Sequence, residues 1–390
     1  MLTMTKEQAM RFLLAHHHLT DDTALTGKND ILAFVKKVGC IQFDPLDVVG
    51  RNADLVLQSR LKNYKKSMLE ELLYRNRTLI DVWDKNMAIA LMEDWPYFAR
   101  NRAHTRTWYD ERVFAGVGVV REHLKKNEYA CTADIGLDDK IGWFWGEERL
   151  AKAALECMGY AGEAVVHHKR GTRRYYALAE NCVPKRLIDM EDPNATDEAY
   201  DGWLVLRRIN SIGLLWNRGG DAWLGLLNFK SANRNKGFKK LMEEGAVVEV
   251  RVEGISHPLY TARENVPLAQ EMAKAPPLEG NGRILAPLDN MLWDRKLIYE
   301  LTGFDYKWEV YVPASKRQYG YYVLPVMANG RFAGRIEMAV DKEEKALVVK
   351  RFWWEEDIRK KSAYRRHVKA AVKRFSRFCD CKSVNFLEEI

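Results

Sequence analysis

The chain has no apolar run of the ~18 residues that a membrane-crossing helix needs. Its first twenty residues, MLTMTKEQAMRFLLAHHHLT, lack the extended apolar core of a secretory signal, so a cytoplasmic protein without a membrane partner is expected. Cysteine is scarce. The six, at positions 40, 131, 157, 182, 379 and 381, form no Cys-x-x-Cys pair and no zinc-holding spacing, which points to free thiols in a reducing compartment. Glycine in a dinucleotide-binding pattern is missing too: Gly219 and Gly220 precede Asp221 without a leading strand or further glycines, as in a turn between helices. His16, His17 and His18 are consecutive in a helical pattern, where neighbours diverge by ~100° and do not converge on one ion. Neither a metal nor a cofactor is expected.

What is present is charge and apolar mass. Of 390 residues, 47% are hydrophobic and 30% charged, a globular composition long enough for two to four compact units. The net charge of +8 favours a polyanionic partner without identifying one.

The most informative segment is CIQFDPLDVVGRNADLVLQSRL, residues 40–61. In extended backbone side chains alternate, so Gln42 and Asp44 share a face and Phe43 points into the body. Pro45 disfavours the helical region for Asp44 and supports that reading. A carboxylate beside an amide suits water activation, the carboxylate taking a proton or facing developing positive charge while the amide orients the water. The same three residues also suit a plain strand end, with the aspartate starting a turn.

A second basic element lies at AVVHHKRGTRRYYALA, two strands around a turn at Gly171. His167, His168, Lys169, Arg170, Arg173 and Arg174 crowd its tip. Cations on a hairpin beside a helix suit phosphate contact, and Lys169, Arg170, Arg173 and Arg174 are the DNA-binding candidates there; the bland reading is a solvated turn. Arg51 and Arg60 flank the Gln-x-Asp segment, either for phosphates on two sides of a site or for pairing with Asp54 or Glu70.

The order helix, helix, extended segment recurs along the chain. The organisation expected is α+β: tandem winged-helix (helix-turn-helix) domains followed by a C-terminal antiparallel β-barrel-like domain with a terminal helix. Residues 1–64 form the first winged helix, 65–130 a mostly helical bridge, 131–196 the second winged helix and 197–272 the third. Residues 273–283 read as linker and 284–390 as the β-rich domain. Within the last, WEVYVP, YGYYVLPVMA, RFAGRIEMAVD and ALVVKRFWW read as strands, with Asn329-Gly330 as a hairpin turn. Tyr364, Val368, Ala371, Val372, Phe375 and Phe378 fall at helical spacing, as in a docked helix.

GCIQFDPLDVVGRNADLVLQSRL resembles the signature of the AlkZ/YcaQ-type bacterial winged-helix DNA glycosylases. Residues 142–184 and 284–341 are similar to that family's central winged helix and C-terminal β-rich part. The resemblance implies that Gln42 and Asp44 are the catalytic pair, in the Gln-x-Asp form of the YcaQ-like branch. It implies a monofunctional glycosylase in base excision repair that releases cationic N7-alkylated purines, bases in interstrand crosslinks included, from double-stranded DNA. One departure is that VWDKNMAIALMEDWP, residues 82–96, lacks the histidine that family members carry there, so its substrate-proximal role is vacant or falls to Lys85 and Asn86. Tandem DNA-binding units in one chain favour a monomer. The competing reading is a winged-helix protein without catalysis, either a regulator that dimerises on repeated half-sites or a binder of alkylated DNA.

Overall fold

The computed structural model describes residues 1–20, 25–108, 111–143, 146–280 and 282–390. Residues 21–24 lie outside the described residues. The chain opens with strand β1 (Leu2–Met4) and helix α1 (Lys6–His16), whose N-terminus Thr5 and Gln8 close reciprocally as a capping box. Then follow α2 (Lys28–Val38), β2 (Cys40–Gln42), α3 (Asn52–Gln58) and α4 (Lys66–Glu70).

Residues 65–130 depart from the expected helical bridge. They contain strands β3 (Leu79–Asp84) and β4 (Asn86–Leu91), which with β2 form a sheet of order β2-β4-β3. The correction has a local cause: Asn86 takes φ 55°, which turns the chain back at Lys85 and lets β3 pair with β4 from Leu79–Leu91 to Asp84–Asn86. Helices α5 (Ala99–Thr105) and α6 (Glu111–Lys126) complete the stretch.

A short hairpin, β5 (Lys140–Trp143) and β6 (Gly146–Arg149), precedes α7 (Leu150–Ala161). The basic hairpin is β7 (Ala164–Arg170) and β8 (Arg173–Leu178), with Gly171 at φ 61° in its turn. Beyond α8 (Lys185–Ile188) come α9 (Asp197–Ile212), β9 (Leu215–Trp216), α10 (Ser231–Glu243), β10 (Val247–Val252), β11 (Leu259–Ala262) and α11 (Val266–Lys274). The N-terminal β1 joins β10 in parallel, Leu2 pairing with Val250 and Met4 with Val252, so the first strand belongs to a sheet built from the far end of the next 260 residues.

The C-terminal part holds β12 (Arg283–Ile284), α12 (Arg295–Thr302), β13 (Val323–Ala328), β14 (Arg331–Asp341), β15 (Ala346–Trp354), α13 (Lys361–Phe378) and β16 (Ser383–Phe386). Its five strands run β12-β13-β14-β15-β16, and register shifts at Val326/Met327 and Glu337/Met338 curl the sheet. Two expectations change here. WEVYVP is no strand but a 3₁₀ turn over Glu309–Tyr311, because the Glu309 carboxylate gathers the N–H groups of Gln318, Tyr319 and Gly320. The sheet is also not wholly antiparallel, since β16 pairs with β15 in parallel. Val368, Ala371, Val372, Phe375 and Phe378 of α13 are buried, as their spacing predicts.

One hydrophobic core runs from α1 and α2 through α3 and α9 into the curled sheet and α13. A second lies among α6, α7 and the β7–β8 hairpin. The segment with Gln42 and Asp44 belongs to the first.

Candidate active site

β2 is an edge strand, and its unpaired carbonyls are met by side chains instead of a further strand. The Phe43 N–H donates to the Met87 carbonyl at 2.8 Å, so the carbonyls of Cys40 and Gln42 face away from β4. Asn290 Nδ2 donates to the first at 2.8 Å and Asn52 Nδ2 to the second at 2.8 Å. Both asparagines are buried, and Asn52 Oδ1 also accepts the Leu288 N–H at 3.0 Å. The C-terminal part therefore holds the strand directly, which no short-range pattern announces.

Asp44 leaves the sheet at Pro45, half-buried. Its Oδ1 accepts the Leu46 N–H at 2.9 Å, a turn across the proline. Among the described residues Oδ2 has no hydrogen-bond partner. Burial raises the Asp44 carboxyl above its usual value, and the Leu46 N–H opposes that shift. The strand thus ends in a carboxylate with one oxygen anchored and one available.

Phe43 lies on the opposite side, lining an apolar cavity of about 80 Å³ with Val82, Trp83, Trp95, Phe98 and Tyr160. Neither Gln42 nor Asp44 lines that cavity. The separation of Phe43 from its two polar neighbours is what extended backbone dictates.

Arg51 is the residue before α3, reached through Gly50, whose φ of 147° and close approach to Leu55 and Phe378 leave no room for a side chain. Arg51 pairs with Asp54 at 3.1 Å and Glu70 at 3.2 Å, the pairing alternative of the sequence reading. Arg60 corrects an expectation. It forms a two-pronged ion pair with Asp289, both contacts 2.8 Å, and its side chain is fully buried, so no surface remains for a phosphate. The cause is the inward face of α3, every residue of which is buried and which carries Arg60 into the interface with the C-terminal part.

A family model described as DNA glycosylase AlkZ-like matches residues 35–378. The chain belongs to the AlkZ-like DNA glycosylase family. Among solved structures it is similar to the Streptomyces sahachiroi DNA glycosylase AlkZ, with a TM-score of 0.62 and 17% identity over 99% of each chain. That likeness is one of fold; the family match makes this chain a DNA glycosylase.

In this glycosylase the basic hairpin divides its cations. Arg170 and Arg173 stand exposed on either side of the turn, Arg170 over the Tyr175 ring at 5.2 Å. Lys169 and Arg174, one register step inward, turn toward the protein. The Lys169 side chain is buried, pairs with Asp81 of β3 and sits 3.7 Å from the centre of the Phe43 ring. Arg174 donates to Met87 Sδ at 2.9 Å and approaches Tyr176 Oη at 3.4 Å. Lys169 is thereby corrected from a phosphate contact to a tie between the hairpin and the Gln-x-Asp segment. An alternating strand can present only every second cation to solvent.

Lys85 is buried at the apex of β3–β4, where burial first and the charge of Arg208 next bring its ammonium down to about 8. It is thus not offered to a phosphate, contrary to the substrate-proximal expectation. Asn86 pairs with Asp84 at the β3–β4 turn, and its side chain packs against Gly225. The neighbouring Asp84 is fully buried between Arg207 and Arg208, each contact 2.6 Å, and Arg207 also donates to the Gly39 carbonyl at 2.8 Å. These arginines come from α9 and fix both the β3–β4 turn and the residue before β2. Among the described residues no group of three or more His, Cys, Asp or Glu side chains converges as metal ligands.

Proposed function

We propose that this glycosylase hydrolyses the N-glycosidic bond of cationic N7-alkylated purines in duplex DNA and leaves an abasic site. The observation that carries the reading is the Asp44 carboxylate, half-buried two residues after Gln42, with one oxygen anchored by Leu46 and the other unpartnered among the described residues. Alkylation at N7 makes the base a cationic leaving group, so no acid is needed. The remaining task is to stabilise an oxocarbenium-like sugar and deliver water to C1′. Asp44 faces the developing charge and takes the proton from water, while Gln42 orients that water. Residues 40–61 contain no lysine for a Schiff base, and the Lys169 ammonium is engaged by Asp81 and the Phe43 ring. Hydrolysis without strand cleavage follows.

We read the three successive stretches of helix, helix and extended segment as winged helices, with exposed Arg170 and Arg173 on a phosphate-gripping wing. Crosslink unhooking is part of the proposal. A base tied to both strands cannot swing into an enclosed pocket, and the cavity beside the strand lies on the Phe43 side, away from Asp44.

The test is single-turnover release of N7-methylguanine from duplex DNA by the wild type, Asp44→Asn and Gln42→Ala. Release by the wild type and its loss by orders of magnitude in Asp44→Asn is the expected result. Tight binding with no release would favour a non-catalytic binder of alkylated DNA, and dimeric binding to repeated half-sites a regulator.

A further inference from the structure

Tyr311 is 82% exposed, an unusual state for a large aromatic side chain on an otherwise well-anchored loop. The loop around it is held from several directions. The buried Glu309 carboxylate accepts the N–H groups of Gln318 at 2.9 Å, Tyr319 at 2.8 Å and Gly320 at 3.3 Å. Arg317 Nε donates to the Val312 carbonyl at 2.8 Å, and its guanidinium covers the Tyr321 ring at 4.9 Å. Trp308 packs edge-on against both Tyr311 and Tyr322, each at 5.9 Å between ring centres. Tyr322 is buried, and its hydroxyl donates to the Gly50 carbonyl at 3.4 Å, in the turn that follows Asp44. A rigid mount thus carries an exposed ring to the edge of the Gln-x-Asp segment.

The Tyr311 phenol is raised above its ordinary value first by partial desolvation and next by the charge on Asp44, and Tyr322 also feels Asp44. Exposed aromatic surface costs a folded protein solubility, and at 82% exposure the edge contact to Trp308 returns little packing. Beside a site that acts on DNA, such a ring has one evident use, since every base offers a flat π face and a cationic purine attracts the face of an aromatic ring.

We propose that Tyr311 is a substrate-contacting residue that stacks its ring on a nucleobase at the lesion, supplied to the Gln-x-Asp site by the C-terminal part of the chain. The inference rests on the glycosylase reading above and adds a recognition element to it. Glu309 is then a positioning residue, acting through the shape of the loop. The stack favours the alkylated purine over an unmodified one because the positive charge on the base strengthens its attraction to the phenol ring.

The experiment compares Tyr311→Ala and Tyr311→Phe with the wild type and Asp44→Asn on duplexes with and without a single N7-methylguanine. Binding and single-turnover release are measured for each. Tyr311→Ala is expected to keep the wild-type melting temperature, because the ring is exposed, and to lose roughly ten- to a hundredfold in the binding preference for the lesion. Tyr311→Phe, which keeps the ring, should stay within about threefold. Unchanged lesion preference and release in Tyr311→Ala, with Asp44→Asn inactive, would overturn the stacking role and leave the glycosylase reading standing. Absence of release by the wild type would overturn both.

Discussion

The side-chain amide of Asn52 donates to the backbone carbonyl of Gln42 at 2.8 Å, and its oxygen accepts the Leu288 N–H at 3.0 Å. One buried residue thus fixes the catalytic candidate to a segment more than 200 residues away. Asn52→Ala leaves the Gln42 carbonyl and the Leu288 N–H buried and unmatched. A stability loss of about 1–3 kcal/mol is expected by urea unfolding, together with base release slowed about tenfold or more as Gln42 loses its alignment. Release unchanged despite the stability loss would separate Asn52 from the site.

The raised Asp44 carboxyl sets a pH signature. Because folding favours the protonated form, base release should fall on acidification at a pH above the ordinary carboxylate value of 3.8. The stability sign is opposite to that of an ion-paired aspartate. The penalty for the buried charge is fully present above the raised folded value and disappears as pH falls below the unfolded one. Asp44→Asn keeps Oδ1 for the Leu46 N–H, so its melting temperature at pH 7 should match or exceed the wild type while release drops by about two to four orders of magnitude. A thermal scan beside the kinetic assay checks both.

The two layers of hairpin cations should separate in salt titrations. Replacing Arg170 and Arg173 by alanine removes two exposed charges and should reduce the slope of log binding constant against log salt by about 2. Lys169→Ala should leave that slope nearly unchanged and lower stability, since it strands Asp81 and uncovers Phe43. Equal slope changes for both sets would place Lys169 at the phosphates after all.

Asp84 accepts from Arg207 and Arg208 in the interior, and its carboxyl is held well below the usual range by the two guanidiniums, which overcome the effect of burial. Asp84→Ala leaves the buried Arg208 without its carboxylate and Arg207 with Asp94 alone, and should cost about 3–5 kcal/mol in denaturant unfolding. Arg207 also reaches the Gly39 carbonyl, so base release should fall in any fraction that stays folded.

The sequence by itself determined what has a local cause. Alternation along IQFD, the constraint of Pro45 on Asp44 and the spacing of apolar residues in α13 are decided within a few bonds of each residue. The Asn329-Gly330 turn belongs with these, both residues taking positive φ between β13 and β14. Tertiary structure alone decided which groups meet. Arg60 and Arg51 look alike in the chain, yet one is buried on Asp289 and the other stands at the surface edge between Asp54 and Glu70. WEVYVP has strand composition, but a single carboxylate collecting three N–H groups bends it into a turn and leaves Tyr311 exposed. β3–β4 is not legible between helices because short strands need a partner to be stable, and the third strand of their sheet is β2, whose Gln42 pairs with Ala88 and Cys40 with Ala90. Periodicity fixes which face a side chain takes; the identity of its neighbour depends on contacts between residues hundreds of positions apart.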